Sequence, residues 1–350
     1  MHNLQLGEDQ EMIVDTVRKF VADAVAPKVL ELDEHRTFAR AQFDGLAELG
    51  VFGMSIPETF GGAGMGWLPY VAALESVGAQ SSSLARLWIG QAQCAAALAG
   101  VAEDPIAEVV AGSKLATFVG PEHGVTFSAD KVTGTARVVP AGGEADFFVV
   151  AASDAGTPVL AVVQSADVRR RPLTALGLAS ASCAAVQFEA SPVYVAARGG
   201  SVADAIAKAQ IVGWIGVAAT MVGGGLASFA AAKKHASERI AFGKPLLVQE
   251  AVQRKLVESK CLVDAARHLV WHAARVTDLG QDATEVAISA RLAAVEACVN
   301  AADEAIQIHG GYGYTVEYHV ERHYRDGKML EVLDGGGEAL RNRLAASQLG

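Results

Sequence analysis

The chain has 350 residues, half of them apolar but only 6% aromatic, a mix that suits two or three packed units of close, alanine-rich helices. Its formal charge is −10 and its Lys and Arg residues are scattered, which argues against nucleic acid or an anionic membrane as the main partner. Cys94, Cys183, Cys261 and Cys298 lie far apart with no C-x-x-C pair, so a disulfide framework and a metal site of the zinc type are both disfavoured and a reducing cytoplasm is expected.

The chain opens on acids (Glu8, Asp9, Glu11) where a secretory signal would need a basic region and an apolar run, so no signal is expected. Over residues 10–30, Ile13, Val17, Phe20, Val21 and Val25 recur at helical spacing and predict one helix. Residues 43–49 predict a second, stopped by Gly50. The glycine-rich stretch 57–66 (PETFGGAGMG) reads as a loop, and alanine-rich helices follow over 68–78 and 82–100. From about Leu115 the pattern shifts to short β-rich runs at 116–119, 131–139, 147–151, 159–163 and 185–188, separated by Gly, Pro, Asp and Ser as turns require. Ser191–Pro192 reads as the end of this unit. Helical segments run from Val202 onward, with breaks near 243–245, 280–282 and 310–313.

No charged residue occurs from 210 to 232, a length that could span a bilayer. Lys208, Lys233, Lys234 and the charged helix beyond favour a helix buried in a bundle or subunit interface, so no membrane span is expected. The order helices, strands, helices defines an α+β fold, mainly α: an N-terminal helical domain (1–114), a small middle β domain (115–195) and a C-terminal helical bundle (196–350). A dinucleotide-binding sheet is excluded, because the glycines at 62–66 and 310–313 lack G-x-G-x-x-G spacing and follow no strand.

Three C-terminal segments carry the chemistry: 237–253 (SERIAFGKPLLVQEAVQ), 301–318 (AADEAIQIHGGYGYTVEY) and 321–340 (ERHYRDGKMLEVLDGGGEAL). In order and spacing they resemble the signature segments of the acyl-CoA dehydrogenases, and residues 57–78 resemble that family's N-terminal loop and helix. The resemblance covers nearly the whole chain and implies a C-terminal four-helix bundle, usually in a tetramer, with FAD as cofactor and an acyl-CoA or acyl-carrier thioester as substrate. It places Arg239, Phe242, Gln307, Gly310 and Gly311 against the ADP half of FAD across a subunit interface. An Arg gives a diphosphate a bidentate, permanently charged grip, a Phe offers a flat face, and paired glycines let backbone N–H groups approach. Singly, each residue has a plainer role as helix cap, core filler or turn. Five in register favour FAD.

The implied reaction takes an α-proton onto a carboxylate while the flavin accepts the β-hydride. Where the family has Y-E-G-T, this chain has Leu333-Asp334-Gly335-Gly336, so Asp334 holds the base position, with a turn or helix cap as its alternative role. Asp is one methylene shorter than Glu, and about 1 Å of lost reach costs on the order of a hundredfold in rate. The alternative base position on the helix near 209 is Gly213–Trp214, without a carboxylate. The β domain departs further: T-E-P-x-x-G-S-D becomes residues 119–124 (VGPEHG) with the rest shortened, and N-G-x-K-x-W-I-T becomes residues 133–140 (TGTARVVP), losing the flavin-contacting Trp and Thr.

Groups that reach a neighbour's FAD are thus kept, while those that cradle this chain's own flavin ring are altered. The pattern implies a partner chain that completes the FAD site of a homologous catalytic subunit, as in heteromeric acyl-CoA dehydrogenases with one degenerate chain. Two readings stay open beside it. One is a self-sufficient homo-oligomer using Asp334, as nitroalkane oxidase, a relative in this fold, uses an Asp base. The other is a non-catalytic scaffold subunit.

Overall fold

The computed structural model describes residues 4–349 apart from Phe242. Its first helix, α1 (Glu8–Phe20), does not run to residue 30. It passes into a π-helical turn, Val21–Val25, and the chain re-enters a helix at α2 (Val29–Glu34). Pro27 explains the break, since it has no N–H to continue the ladder. The second predicted helix starts three residues earlier, as α3 (Arg40–Glu48). Two long helices then form the centre of the N-terminal region, α4 (Trp67–Gln80) and α5 (Ser82–Leu98), and all of α5 is buried. A helix not read from the sequence, α6 (Glu103–Ala111), closes that region.

An eight-stranded sheet follows. Its strands are β1 (Ala116–Val119), β2 (Thr126–Ser128), β3 (Lys131–Val139), β4 (Phe147–Asp154), β5 (Thr157–Gln164), β6 (Arg169–Pro172), β7 (Ala184–Pro192) and β8 (Val195–Arg198). The spatial order is β6-β7-β3-β2-β4-β5-β8, with β1 parallel to β4. β4 and β5 form a hairpin in register from Phe147↔Gln164 to Asp154↔Thr157, joined by Ala155 and Gly156, both at positive φ. Ser191 and Pro192 lie inside β7, and the sheet gains β8 beyond them, paired to β5. Pro192 sits at its strand's end, where a missing donor is tolerated.

The apolar segment 210–232 is the middle of α7 (Gly200–Glu238), a 39-residue helix. By length and composition it could cross a membrane, yet 72% of its most apolar window is buried inside the protein. It packs on α4, α5, α8 (Glu250–Asp278) and α9 (Thr284–His309). Glycine makes the α4–α7 contact possible: a Cβ at Gly78 would lie 2.5 Å from the Thr220 carbonyl oxygen, and one at Gly223 only 2.1 Å from that of Glu75. The chain ends in α10 (Val320–Val332) and α11 (Gly336–Leu349). α11 is tied back to the core by Arg343, 5.1 Å over the Trp214 ring.

Candidate functional site

Asp334 sits between α10 and α11, in a turn where Asp334, Gly335 and Gly336 all have positive φ (48°, 95° and 72°). Asp and Gly are the residue types that accept this geometry at least cost. Arg291, buried on α9, holds the turn by donating to the carbonyls of Leu330 (3.1 Å), Leu333 and Asp334 (3.0 Å). A cation there satisfies the orphan acceptors and the negative end of α10.

The turn aims the Asp334 side chain at α5. Its Oδ1 accepts from Arg86 Nη2 at 2.9 Å, while Arg86 Nη1 donates to Gln93 Oε1 at 3.1 Å. The Arg86 side chain is 2% exposed and that of Asp334 14%. Three polar atoms around this pair have no hydrogen-bond partner among the described residues: Asp334 Oδ2, Arg86 Nε and the Tyr70 hydroxyl. Gln93 also fills the alternative base position, because a Cβ on Gly213 would stand 2.2 Å from its Nε2.

The loop that replaces the family's T-E-P run turns onto the same cluster. The backbone of Glu122 is exposed, but its carboxylate turns inward, leaving the side chain 26% exposed and 3.6 Å from His123 Nε2. Burial, then the charge of Asp334, pushes the Glu122 carboxyl up to about 7. Burial holds His123 below the usual imidazole range, against the pull of Asp334. Pro140, at the family's flavin-contacting Thr position, is buried, and its carbonyl accepts from the Thr117 hydroxyl at 2.9 Å.

The second group lies at the far ends of α7 and α9. Arg239 caps α7, its N–H bonded to the His235 carbonyl at 2.8 Å, and the chain turns at Gly243 (φ 78°) into a two-residue β ladder. Its guanidinium is exposed and makes no ion pair with a described residue. Gln307 is exposed on the last turn of α9, and Gly310 and Gly311 follow at the helix end. A Cβ on either glycine would meet no described residue within 4 Å. His235 stacks on His309 at 4.2 Å, which sets the Arg239 end of α7 beside the Gly310–Gly311 turn. Burial, then His309 and Arg239, hold His235 below its ordinary value. Exposed Ile240, Tyr312, Tyr314 and Tyr318 surround the turn. Phe242 lies outside the described residues.

The expected site residues therefore divide into two places. Arg239, Gln307, Gly310 and Gly311 share one exposed edge, and Asp334 lies in a buried polar cluster. The sequence reading missed Arg86, Gln93, Glu122, His123 and Arg291. Arg86 left one signal, as the single charge in the 17 residues of α5.

The acyl-CoA dehydrogenase N-terminal domain profile matches residues 7–106, and the family's C-terminal domain profile matches residues 206–349. The chain belongs to the acyl-CoA dehydrogenase family, a family of FAD-dependent oxidoreductases. It is 29% identical to the bovine (Bos taurus) mitochondrial short-chain specific acyl-CoA dehydrogenase, over 97% of this chain and 90% of that protein. It is also 29% identical to the benzylmalonyl-CoA dehydrogenase of Aromatoleum aromaticum, over 97% of each. Among solved structures, the butyryl-CoA dehydrogenase of Megasphaera elsdenii superposes with a TM-score of 0.92 at 25% identity, covering all of both chains.

Proposed function

We propose that this chain completes the ADP side of an FAD site whose flavin ring and catalytic base belong to a homologous subunit, in the α,β-dehydrogenation of an acyl-CoA or acyl-carrier thioester. The observation that carries the reading is the buried Arg86–Asp334 ion pair. A base must present a free carboxylate to the substrate, whereas Asp334 spends one oxygen on a guanidinium that would be left buried and unpaired if Asp334 took a proton. The exposed edge fits the other role. Arg239 has free donors, and the paired glycines leave room for a diphosphate to reach backbone N–H groups. FAD, when bound, supplies the hydride acceptor, and this chain's residues fix its diphosphate.

One observation favours the self-sufficient reading: Asp334 Oδ2 has no hydrogen-bond partner among the described residues and keeps a lone pair for a proton. The two readings part on purification. The half-site reading expects a colourless or weakly yellow protein alone and a yellow, active complex after co-expression with a homologous chain. In that complex Asp334→Asn leaves turnover within about twofold. A yellow homo-oligomer whose dehydrogenase activity falls by about 10²-fold or more in Asp334→Asn overturns it.

A further inference from the structure

A cavity of about 540 Å³ lies apart from the Arg86–Asp334 pair, neither of whose members lines it. It lies between the C-terminal end of α5, the N-terminal half of α7, the loop 55–60 and the turn from α8 to α9. Its volume is in the range that encloses a drug-sized molecule. The floor is apolar and buried: Ile56, Ala96, Ala205, Val212 and Ala283. Small side chains create the space. Phe60 and Trp67 add two flat, half-buried faces. Trp67 is held by Asp278 of α8, whose carboxylate accepts the backbone N–H groups of Trp67 (2.5 Å) and Leu68 (3.3 Å).

Polar groups gather at the mouth. Ser201, Asp204 and Lys208 come from one face of α7, and Gln281 from the turn opposite; all four are exposed. Lys208 has no ion pair among the described residues, and although Asp204 stands one turn away the two form no salt bridge. Lys208 can lay its four-carbon stem along the apolar wall and keep its ammonium at the rim.

We propose that this cavity binds an amphipathic carboxylate from solvent, its hydrocarbon body on the Ile56–Val212 floor and its head at Lys208. The site is independent of the FAD half-site, because no residue of the Arg239–Gly311 edge lines it.

Trp67 supplies the readout. The full-length protein is titrated with decanoate, 1-decanol and decylamine while its tryptophan emission is followed, with Trp67→Phe assigning the signal. Decanoate should give a saturable change, decanol should bind at least fivefold more weakly, and decylamine more weakly still. Lys208→Met should bring decanoate to the level of decanol. Ala205→Phe fills the floor and should abolish binding; Ala99→Phe does the same from the α5 side, should the first variant fail to fold. The proposal is overturned by the absence of saturable decanoate binding, by equal affinity for the three head groups, or by decanoate affinity that survives a correctly folded filling variant.

Discussion

Arg239 and Arg86 are the same residue type, each on a long helix of the same fold, with opposite settings. Arg239 stands at the exposed end of α7 with no ion pair among the described residues, and Arg86 lies buried in the N-terminal half of α5, paired with Asp334. A guanidinium already in water engages a diphosphate at little added desolvation cost, whereas a buried one is committed to the partner that made burial tolerable. On the half-site reading proposed above, the contrast separates the edge that would hold a cofactor from a cluster whose carboxylate is already paired. The edge needs only an exposed cation and missing side chains. A catalytic base needs a free carboxylate, and here Arg86 takes one oxygen of Asp334 while Gln93 holds the other arm of the guanidinium.

The largest effect should come from breaking the buried pair. Arg86→Met leaves Asp334 without its counter-ion and should cost about 3–5 kcal/mol in urea unfolding. The double variant Arg86→Met/Asp334→Asn should recover most of that loss, since Asn also accepts the positive φ and no orphan charge is left. A single variant as stable as the wild type would remove the contrast between the two arginines.

Arg239→Ala should do the reverse. With no ion pair to lose among the described residues, the fold should keep its unfolding midpoint, while FAD affinity of the co-expressed complex falls by about 2 kcal/mol, roughly 30-fold. Flavin retained after desalting is the measurement. Unchanged retention would mean that the edge grips nothing and would favour a scaffold role.

Glu122 gives a smaller, pH-dependent effect. Its carboxyl is raised from 4.5 to about 7 in the folded chain, so folding takes up a proton between these values. The stability this contributes is full below 4.5 and is lost as pH rises through 7. Glu122→Gln removes that slope. Relative to the wild type, the variant should gain roughly 1–2 kcal/mol in unfolding free energy between pH 5 and pH 8, the full linkage value being discounted for the water that still reaches the side chain.

The helical regions were legible because their apolar residues repeat at helical spacing and glycines mark their ends: Gly50, Gly280 and Gly310 all stand just past a helix at positive φ. The strand cores of β1, β3, β4, β5 and β7 were legible as β-rich runs. The remaining three strands were not, since β2 has three residues, β6 reads Arg-Arg-Arg-Pro, and β8 exists only by pairing with β5. The edge at Arg239 could be read because its residues sit in recognisable segments. The buried cluster could not: Arg86 and Asp334 are 248 residues apart, and no local pattern tells a buried arginine that it will meet that partner.

The paired glycines offer the finest test, because they separate fold from function within two residues. Gly310 has φ 63° and ψ −138°, a region that alanine enters at a cost of roughly 1–3 kcal/mol, so Gly310→Ala should weaken fold and cofactor retention together. Gly311 has no positive φ, and a methyl there would touch no atom of the described residues. Gly311→Ala should therefore change unfolding stability by less than about 0.5 kcal/mol. If a diphosphate lies against this turn, the same methyl stands between it and the backbone N–H, and flavin retention in the complex should fall severalfold with the fold intact. Retention unchanged in Gly311→Ala but lost in Gly310→Ala would assign these glycines to the shape of the turn alone, and the grip would rest on Arg239 without them.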